Sequence, residues 1–184
     1  MSNHLEHTKT FSFLIAASFM VFLASTLQRV SIANSLTHKT KIPSLNVKTS
    51  HRFVSLRSNK VNLRAGPGVR YPINWVYKRR YLPVEIIAEF ENWRKIRDVQ
   101  GTQGWIHQAM LSSRRMFIVI GKMRTLRKHG YRKSRAVAQL ENNVIGELKK
   151  CPSSSGWCQI TVGGHKGWLP RVDFWGVYAK ETIK

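Results

Sequence analysis

Acidic residues are scarce in this chain. Nine Asp and Glu stand against 31 Lys and Arg in 184 residues, a formal net charge of +22. Beyond the amino-terminal segment the carboxylates number eight: Glu85, Glu89, Glu91, Asp98, Glu141, Glu147, Asp173 and Glu181. That leaves little from which to build an acid–base pair. Glu89 and Glu91, the nearest neighbours among them, bracket an expected turn, where they read as solvated charges. Cysteine is equally sparse, with Cys151 and Cys158 alone, and histidines are scattered without finger-like spacing. This pattern excludes a cysteine-rich metal module. No Ser-His-Asp arrangement stands out, and no cofactor is expected. Helical periodicity is almost absent, and no run beyond the first 33 residues is apolar enough to span a bilayer.

The amino terminus has its own pattern. Lys9 precedes a largely apolar run of 13 residues from Phe11 to Leu23, followed by Ser25, Thr26 and the small residues around Ser31-Ile32-Ala33. This is the layout of a secretory signal over residues 1–33. The alternative is an uncleaved anchor; a spanning helix needs about 20 apolar residues, and the run reaches that length only by taking in Ser25, Thr26, Gln28 and Arg29. Both readings place the rest of the chain outside the cytoplasm, in the periplasm or secreted, or tethered to the inner membrane on its periplasmic side. Residues 34–51, rich in Ser, Thr and Lys, read as a flexible linker.

Two copies of one pattern occupy the remainder. The first runs Val61-Asn62-Leu63-Arg64, Trp93-Arg94-Lys95-Ile96, Gly104-Trp105-Ile106. The second runs Met123-Arg124-Thr125-Leu126-Arg127, Trp157-Cys158-Gln159-Ile160, Gly167-Trp168-Leu169. The steps from Leu63 to Leu126, Trp93 to Trp157 and Trp105 to Trp168 are 63, 64 and 63 residues. The repeat divides the chain into residues 52–115 and 116–180, leaving little room for a separate catalytic domain.

Short strands with frequent turns dominate both copies. Leu82 to Phe90, the turn Glu91-Asn92, and Trp93 to Arg97 read as a hairpin, followed by Gly104 to His107. In the second copy Val144 to Lys150, Trp157 to Val162 and Lys166 to Leu169 repeat the plan. There Gly163-Gly164 suits a hairpin turn with positive φ at both central residues. The expected fold is all-β, two tandem small barrels. Units of about 60 residues bury little core alone, so the two are expected to pack together.

Val61-Asn62-Leu63-Arg64-Ala65-Gly66-Pro67-Gly68, with the later Trp-Arg-Lys-Ile and Gly-Trp-Ile, resembles the bacterial SH3-like (SH3b) signature. Residues 52–115 resemble exported alphaproteobacterial proteins with tandem domains of this kind. The second copy keeps the later half of the signature but has Thr125-Leu126-Arg127-Lys128 without the Gly-Pro-Gly turn. The resemblance implies a five-stranded barrel-like module that targets proteins to cell-wall or envelope partners, often beside a catalytic domain that has no room here. The chain is therefore expected not to be an enzyme.

Ala65-Gly66-Pro67-Gly68 reads as a sharp loop whose glycines permit turns closed to other residues. A phosphate cradle would need a Gly-Lys-Ser and a following helix. For Cys151 and Cys158 the simplest reading in an exported chain is a disulfide; free thiols, or a thiol nucleophile or half a metal site, are the alternatives.

The tryptophans are the candidate binding residues. Strand alternation places Trp93 and Trp157 opposite Ile96 and Ile160, and Trp105 and Trp168 opposite Ile106 and Leu169. If the aliphatics point inward, the indoles point outward beside bases such as Lys95. The alternative is that these indoles cap the core or bury the contact between copies. Trp75, Tyr77, Arg79 and Arg80 add an aromatic-basic stretch, read as loop-borne, in the first copy alone. The expected partner is peptidoglycan or another anionic envelope polymer. The alternatives are a periplasmic protein, or a polyanion such as lipopolysaccharide or nucleic acid held by charge; no dedicated nucleic-acid partner is expected. A basic, soluble surface with no dedicated ligand is the plain alternative to all of these. Membrane contact is expected only through an uncleaved signal segment. The unequal copies suggest that the first binds and the second braces it.

Overall fold

A computed structural model describes residues 48–184. The expected signal segment, residues 1–33, and residues 34–47 of the expected linker lie outside the described residues. The strands of the first copy are β1 (Lys48–Leu56), β2 (Val61–Arg64), β3 (Ile73–Tyr77), β4 (Pro83–Phe90), β5 (Trp93–Arg97), β6 (Gln103–His107) and β7 (Leu111–Ser112). Those of the second are β8 (Met116–Val119), β9 (Arg124–Arg127), β10 (Ala136–Leu140), β11 (Ile145–Lys150), β12 (Trp157–Val162), β13 (His165–Pro170) and β14 (Phe174–Trp175). A 3₁₀ turn follows β6 at Gln108–Met110 and another follows β13 at Arg171–Asp173.

The sheet orders are β3-β2-β6-β5-β4-β1-β7 and β10-β9-β13-β12-β11-β8-β14. Adding seven to each strand of the first gives the second, so the sequence repeat is a repeat of topology. Each copy has seven strands rather than five, because the strand that enters it pairs with the short strand that leaves it: Leu56 with Leu111, and Ile118 with Trp175. β1 also begins four residues before the expected boundary. Lys48 and Thr49 pair with Glu89 and Ala88, so the end of the expected linker is strand.

Alternation builds the cores. In β12 Cys158, Ile160 and Val162 point inward while Trp157, Gln159 and Thr161 point outward. Tyr77 at one end of the first sheet and Leu111 at the other join one buried cluster with Leu63, Ile86, Ile96 and Ile106, so the sheet curls around it. The second cluster gathers Phe117, Leu126, Leu148, Ile160, Leu169 and the two cysteines. Each Leu, Ile or Phe among them, fully buried, contributes about 1.5–3 kcal/mol. The Gly of each Gly-Trp pair has a packing cause. A Cβ on Gly104 would stand 2.6 Å from Leu63 Cγ, and one on Gly167 2.7 Å from the Arg127 carbonyl oxygen. Gly163 and Gly164 both have positive φ, as expected of their turn.

The two copies share a buried boundary. Ile118 of β8 belongs to the first cluster, with Ile145 and Trp175 packed against it. Phe53 of β1 meets the rings of Trp175 and Tyr178, each 4.7 Å away.

The Ala65–Gly68 loop corrects one expectation. Gly66 and Gly68 are not among the positive-φ residues. Gly66 is required instead by close approach, since a Cβ there would lie 2.5 Å from the Tyr71 ring.

Candidate functional site

The tryptophans of β5 and β6 stand on the outer face of the first sheet. Trp105 is paired with Lys95 on one side and Arg64 on the other, and Trp93 is paired with His107. In the second sheet Trp168 is paired with Gln159 and Arg127, and Trp157 with Pro170. All four indoles are half-buried. Part of that cover in the second copy comes from the loop after β9, where a Cβ on Gly130 would lie 3.2 Å from Trp168 and 3.3 Å from Trp157.

Trp93 forms a ridge between two grooves. One, of about 270 Å³, lies toward Lys60, Asn62, Arg64 and Met110; the other lies toward Pro67, Glu91 and Asn92. The Trp93 and His107 rings meet edge to face at 5.4 Å, and His107 Nδ1 accepts the Ala109 amide at 3.3 Å. These contacts fix the ridge.

The first groove recurs in the second copy. Lys60, Asn62, Arg64 and Val69 correspond at a step of 63 to Met123, Thr125, Arg127 and Arg132, all of which line a groove of about 300 Å³. Trp93, His107 and Met110 correspond to Trp157, Pro170 and Asp173 in the same groove. The arginine shared by both grooves anchors the loop above it. Arg64 Nη1 donates to the Val69 and Tyr71 carbonyls at 3.0 and 2.7 Å, and Arg127 Nη1 to the Ser134 carbonyl at 2.7 Å.

The chemistry of the two grooves has diverged. Val69 and Met110 make the first partly apolar, whereas Arg132 and Asp173 replace them in the second. Asp173 is taken up by Arg124, at 2.8 Å. Residues 124–135 carry six Lys and Arg and no acid, against two in residues 61–72. Among the described residues, Arg132 and Lys133 have no carboxylate partner.

The remaining candidates are dispersed. Tyr77 is in the core, its hydroxyl donating to Asp98 Oδ2 at 2.9 Å, so it offers no surface. Burial first, then the Asp98 hydrogen bond and charge, push its pKa well above the ordinary tyrosine value. Trp75 is exposed on β3, a strand rather than the expected loop, and lies outside both grooves. Arg79 donates to the Asn143 carbonyl across the boundary at 2.5 Å, and Arg80 lies over the Tyr81 ring. Sequence reading missed Arg132, Lys60 and Met110. It quoted Arg64 and Arg127 only as fold signature, although their recurrence at the common step was the available signal.

Cys151 and Cys158 form a disulfide in the core of the second copy. Beside it the buried Arg171 guanidinium donates to four carbonyls, those of Pro152, Ser155, Tyr178 and Glu181, at 2.8–3.1 Å. The disulfide loop and the carboxyl-terminal tail are thereby tied together. These groups are structural.

The sequence matches the bacterial SH3 domain family twice, over residues 57–113 and 121–176. The chain belongs to that family. The matched ranges take in β2–β7 and β9–β14, leaving out the entering strands β1 and β8, and both grooves lie within them. No curated protein sequence matches the chain. Among solved structures it is similar to NlpC2 from Trichomonas vaginalis, at 12% identity over 70% of this chain and 49% of that one, with a TM-score of 0.32. NlpC1 from Trichomonas vaginalis is 13% identical over 69% of this chain and 46% of that one, with the same TM-score. The chain spans about half the length of those two proteins, and a likeness at this level carries no argument about function.

Proposed function

We propose that this tandem SH3 protein is a non-catalytic binding protein of the cell envelope, whose two grooves hold an anionic wall polymer such as peptidoglycan. The observation that carries the reading is the recurrence of one tryptophan- and arginine-lined groove in both copies. An indole offers a flat apolar face to a sugar ring or peptide stem, and guanidinium and ammonium groups beside it pair with carboxylate or phosphate. Two such grooves in one chain raise the effective concentration for a repeating polymer, so weak sites give firm retention. Both copies bind in this reading, the first through its more apolar groove and the second through its arginines. Binding rather than catalysis is supported by the lining itself: the first groove contains no carboxylate, serine or cysteine, and the one carboxylate of the second is paired with an arginine. The signal-like amino terminus and the disulfide support a site of action outside the cytoplasm, in the periplasm or beyond.

Sedimentation with purified peptidoglycan tests the proposal. The protein should be retained at low salt, Trp93→Ala and Trp157→Ala should each weaken retention about tenfold, and the double variant should abolish it. Absence of retention at low salt, or retention indifferent to both tryptophans and dependent on salt alone, would overturn it.

A further inference from the structure

The two copies differ most at their open edges. Among the described residues β3 and β10 end their sheets, each hydrogen-bonded to a neighbour on one side only. In β10 the residues at this edge include Ala136 and Ala138; at the matching step β3 carries Ile73 and Trp75. Both are exposed, Ile73 by 46% and Trp75 by 58%. The second copy keeps the same strand order with alanines there, so the fold does not require a large apolar pair. Trp75 is paired with Leu63, on the core side of the sheet, yet its indole is exposed while Tyr77, two residues on, is buried.

A groove of about 580 Å³ opens beside that indole at the junction of the copies, with Leu82 and Ile118 buried beneath it and Lys78 and Arg79 bordering it. The one carboxylate lining it, Asp98, is buried and accepts hydrogen bonds from Tyr77, Gln100 and Thr102. The accessible charge is therefore positive, and Lys78-Arg79-Arg80 continues it directly from the strand.

We propose that β3 is a docking edge for an extended acidic segment of a partner protein, which adds as a strand alongside Ile73–Val76 and lays an apolar side chain against Trp75. Backbone hydrogen bonds to the open edge supply affinity, and alternate side chains of the segment meet the indole and the groove. Charge selects the occupant: acidic residues meet Lys78 and Arg80, whereas a second copy of this chain, at +22, is repelled. The proposal does not depend on the wall-binding grooves.

The test is amide NMR titration of the full protein with three synthetic hexapeptides: alternating Glu and Val, alternating Lys and Val, and the Glu peptide N-methylated on its backbone. The acidic peptide should shift the amide signals of Ile73 to Val76. The lysine and N-methylated peptides should bind at least tenfold more weakly. Trp75→Ala and Ile73→Ala, which reproduce the alanines of β10, should each weaken the acidic peptide at least fivefold while leaving retention on peptidoglycan unchanged. Equal binding of the N-methylated peptide would reduce the effect to charge and overturn the proposal. So would shifts confined to the Trp93 and Trp157 grooves, no shift at millimolar peptide, or self-association of the protein through β3.

Discussion

Tyr178 donates its hydroxyl to Glu85 across the boundary between the two copies, at 2.9 Å. Glu85 is almost fully buried in β4 and also accepts Arg97 Nε and Nη2, at 3.0 and 2.6 Å, while His51 Nδ1 lies 3.2 Å away. A buried carboxylate is tolerated only with such partners. The tail of the second copy thus completes the solvation of a charge in the first. Arg115 adds a paired contact to Glu181 and lies over Phe53.

Removing that hydroxyl isolates its contribution. Tyr178→Phe should lower the unfolding free energy by about 1.5–3 kcal/mol, the usual loss for a hydrogen bond to a charged group. Because Ile118 lies in the first core, both copies should still unfold in one calorimetric transition. Two separate transitions in the unsubstituted protein would contradict a shared boundary.

Stability should fall at both ends of the pH scale. Burial alone would raise the Glu85 carboxyl, but hydrogen bonds from Arg97, His51 and Tyr178 and the Arg97 charge together hold it below its ordinary 4.5. Glu181 is likewise pushed up by burial and brought below that value by Arg115, the Tyr178 amide and Arg171. Carboxyls depressed in the folded state contribute stability above pH 4.5, lost as pH falls through their folded values. Burial and Glu85 raise Tyr178, and burial and Asp98 raise Tyr77, above the ordinary 10.0. Their contribution is complete below pH 10 and is lost as pH rises beyond it. Denaturant midpoints measured against pH should show a plateau between, and Tyr178→Phe should flatten both shoulders.

Reduction should loosen but not dismantle the second copy. The disulfide closes a loop between residues seven apart, for which loop-closure entropy gives about 2–3 kcal/mol. Arg171 still ties that loop to the carboxyl-terminal tail, donating to the Pro152 and Ser155 carbonyls of the loop and to those of Tyr178 and Glu181 in the tail. Chemical denaturation with and without reductant should show a loss of that size, while the native far-ultraviolet spectrum persists. Loss of the folded spectrum on reduction alone would show that Arg171 is insufficient.

The glycine loop gives a sharper contrast. Gly66→Ala puts a methyl group into the Tyr71 ring and should cost about 1–3 kcal/mol, the usual penalty for overpacking. Gly68→Ala meets that ring at 3.4 Å, an ordinary contact, and should change stability by less than about 0.5 kcal/mol. Equal effects in thermal denaturation would mean that the loop needs glycine for its backbone.

Much of the fold was legible because the central strands alternate. Trp93–Arg97 and Trp157–Val162 were bounded correctly from their inward aliphatics and outward indoles. The edge strands β3 and β10 were not recognised, because a strand with one neighbour and an exposed start has no buried row to impose a period of two. Trp75 and Tyr77 therefore read as one loop, although β3 leaves the first exposed and buries the second. The grooves were half visible. Tryptophans three residues from buried aliphatics or beside them are found by alternation, but Met110 reaches the first groove from a 3₁₀ turn and Arg132 the second from a loop. Only the comparison of copies, position by position, assembles them.

That comparison also supplies a substitution experiment already present in the chain. Tyr77 and Asp98 form a buried hydrogen-bonded pair in the first copy, and at steps of 63 and 64 the second has buried Leu140 and Val162. Asp98→Val alone strands the Tyr77 hydroxyl and also removes the acceptor for the Gln100 and Thr102 amides, so it should cost about 3 kcal/mol or more. Tyr77→Leu alone removes ring volume and leaves Asp98 short of one partner. The double variant converts the site to the apolar form of the second copy and no longer buries an unpaired hydroxyl. It should be about 1–2 kcal/mol more stable than the sum of the single losses predicts, within the range seen for contacting residues. Urea denaturation of the four proteins measures the coupling. A purely additive cycle would mean that Asp98 acts only through its turn and that Tyr77 is held by packing alone.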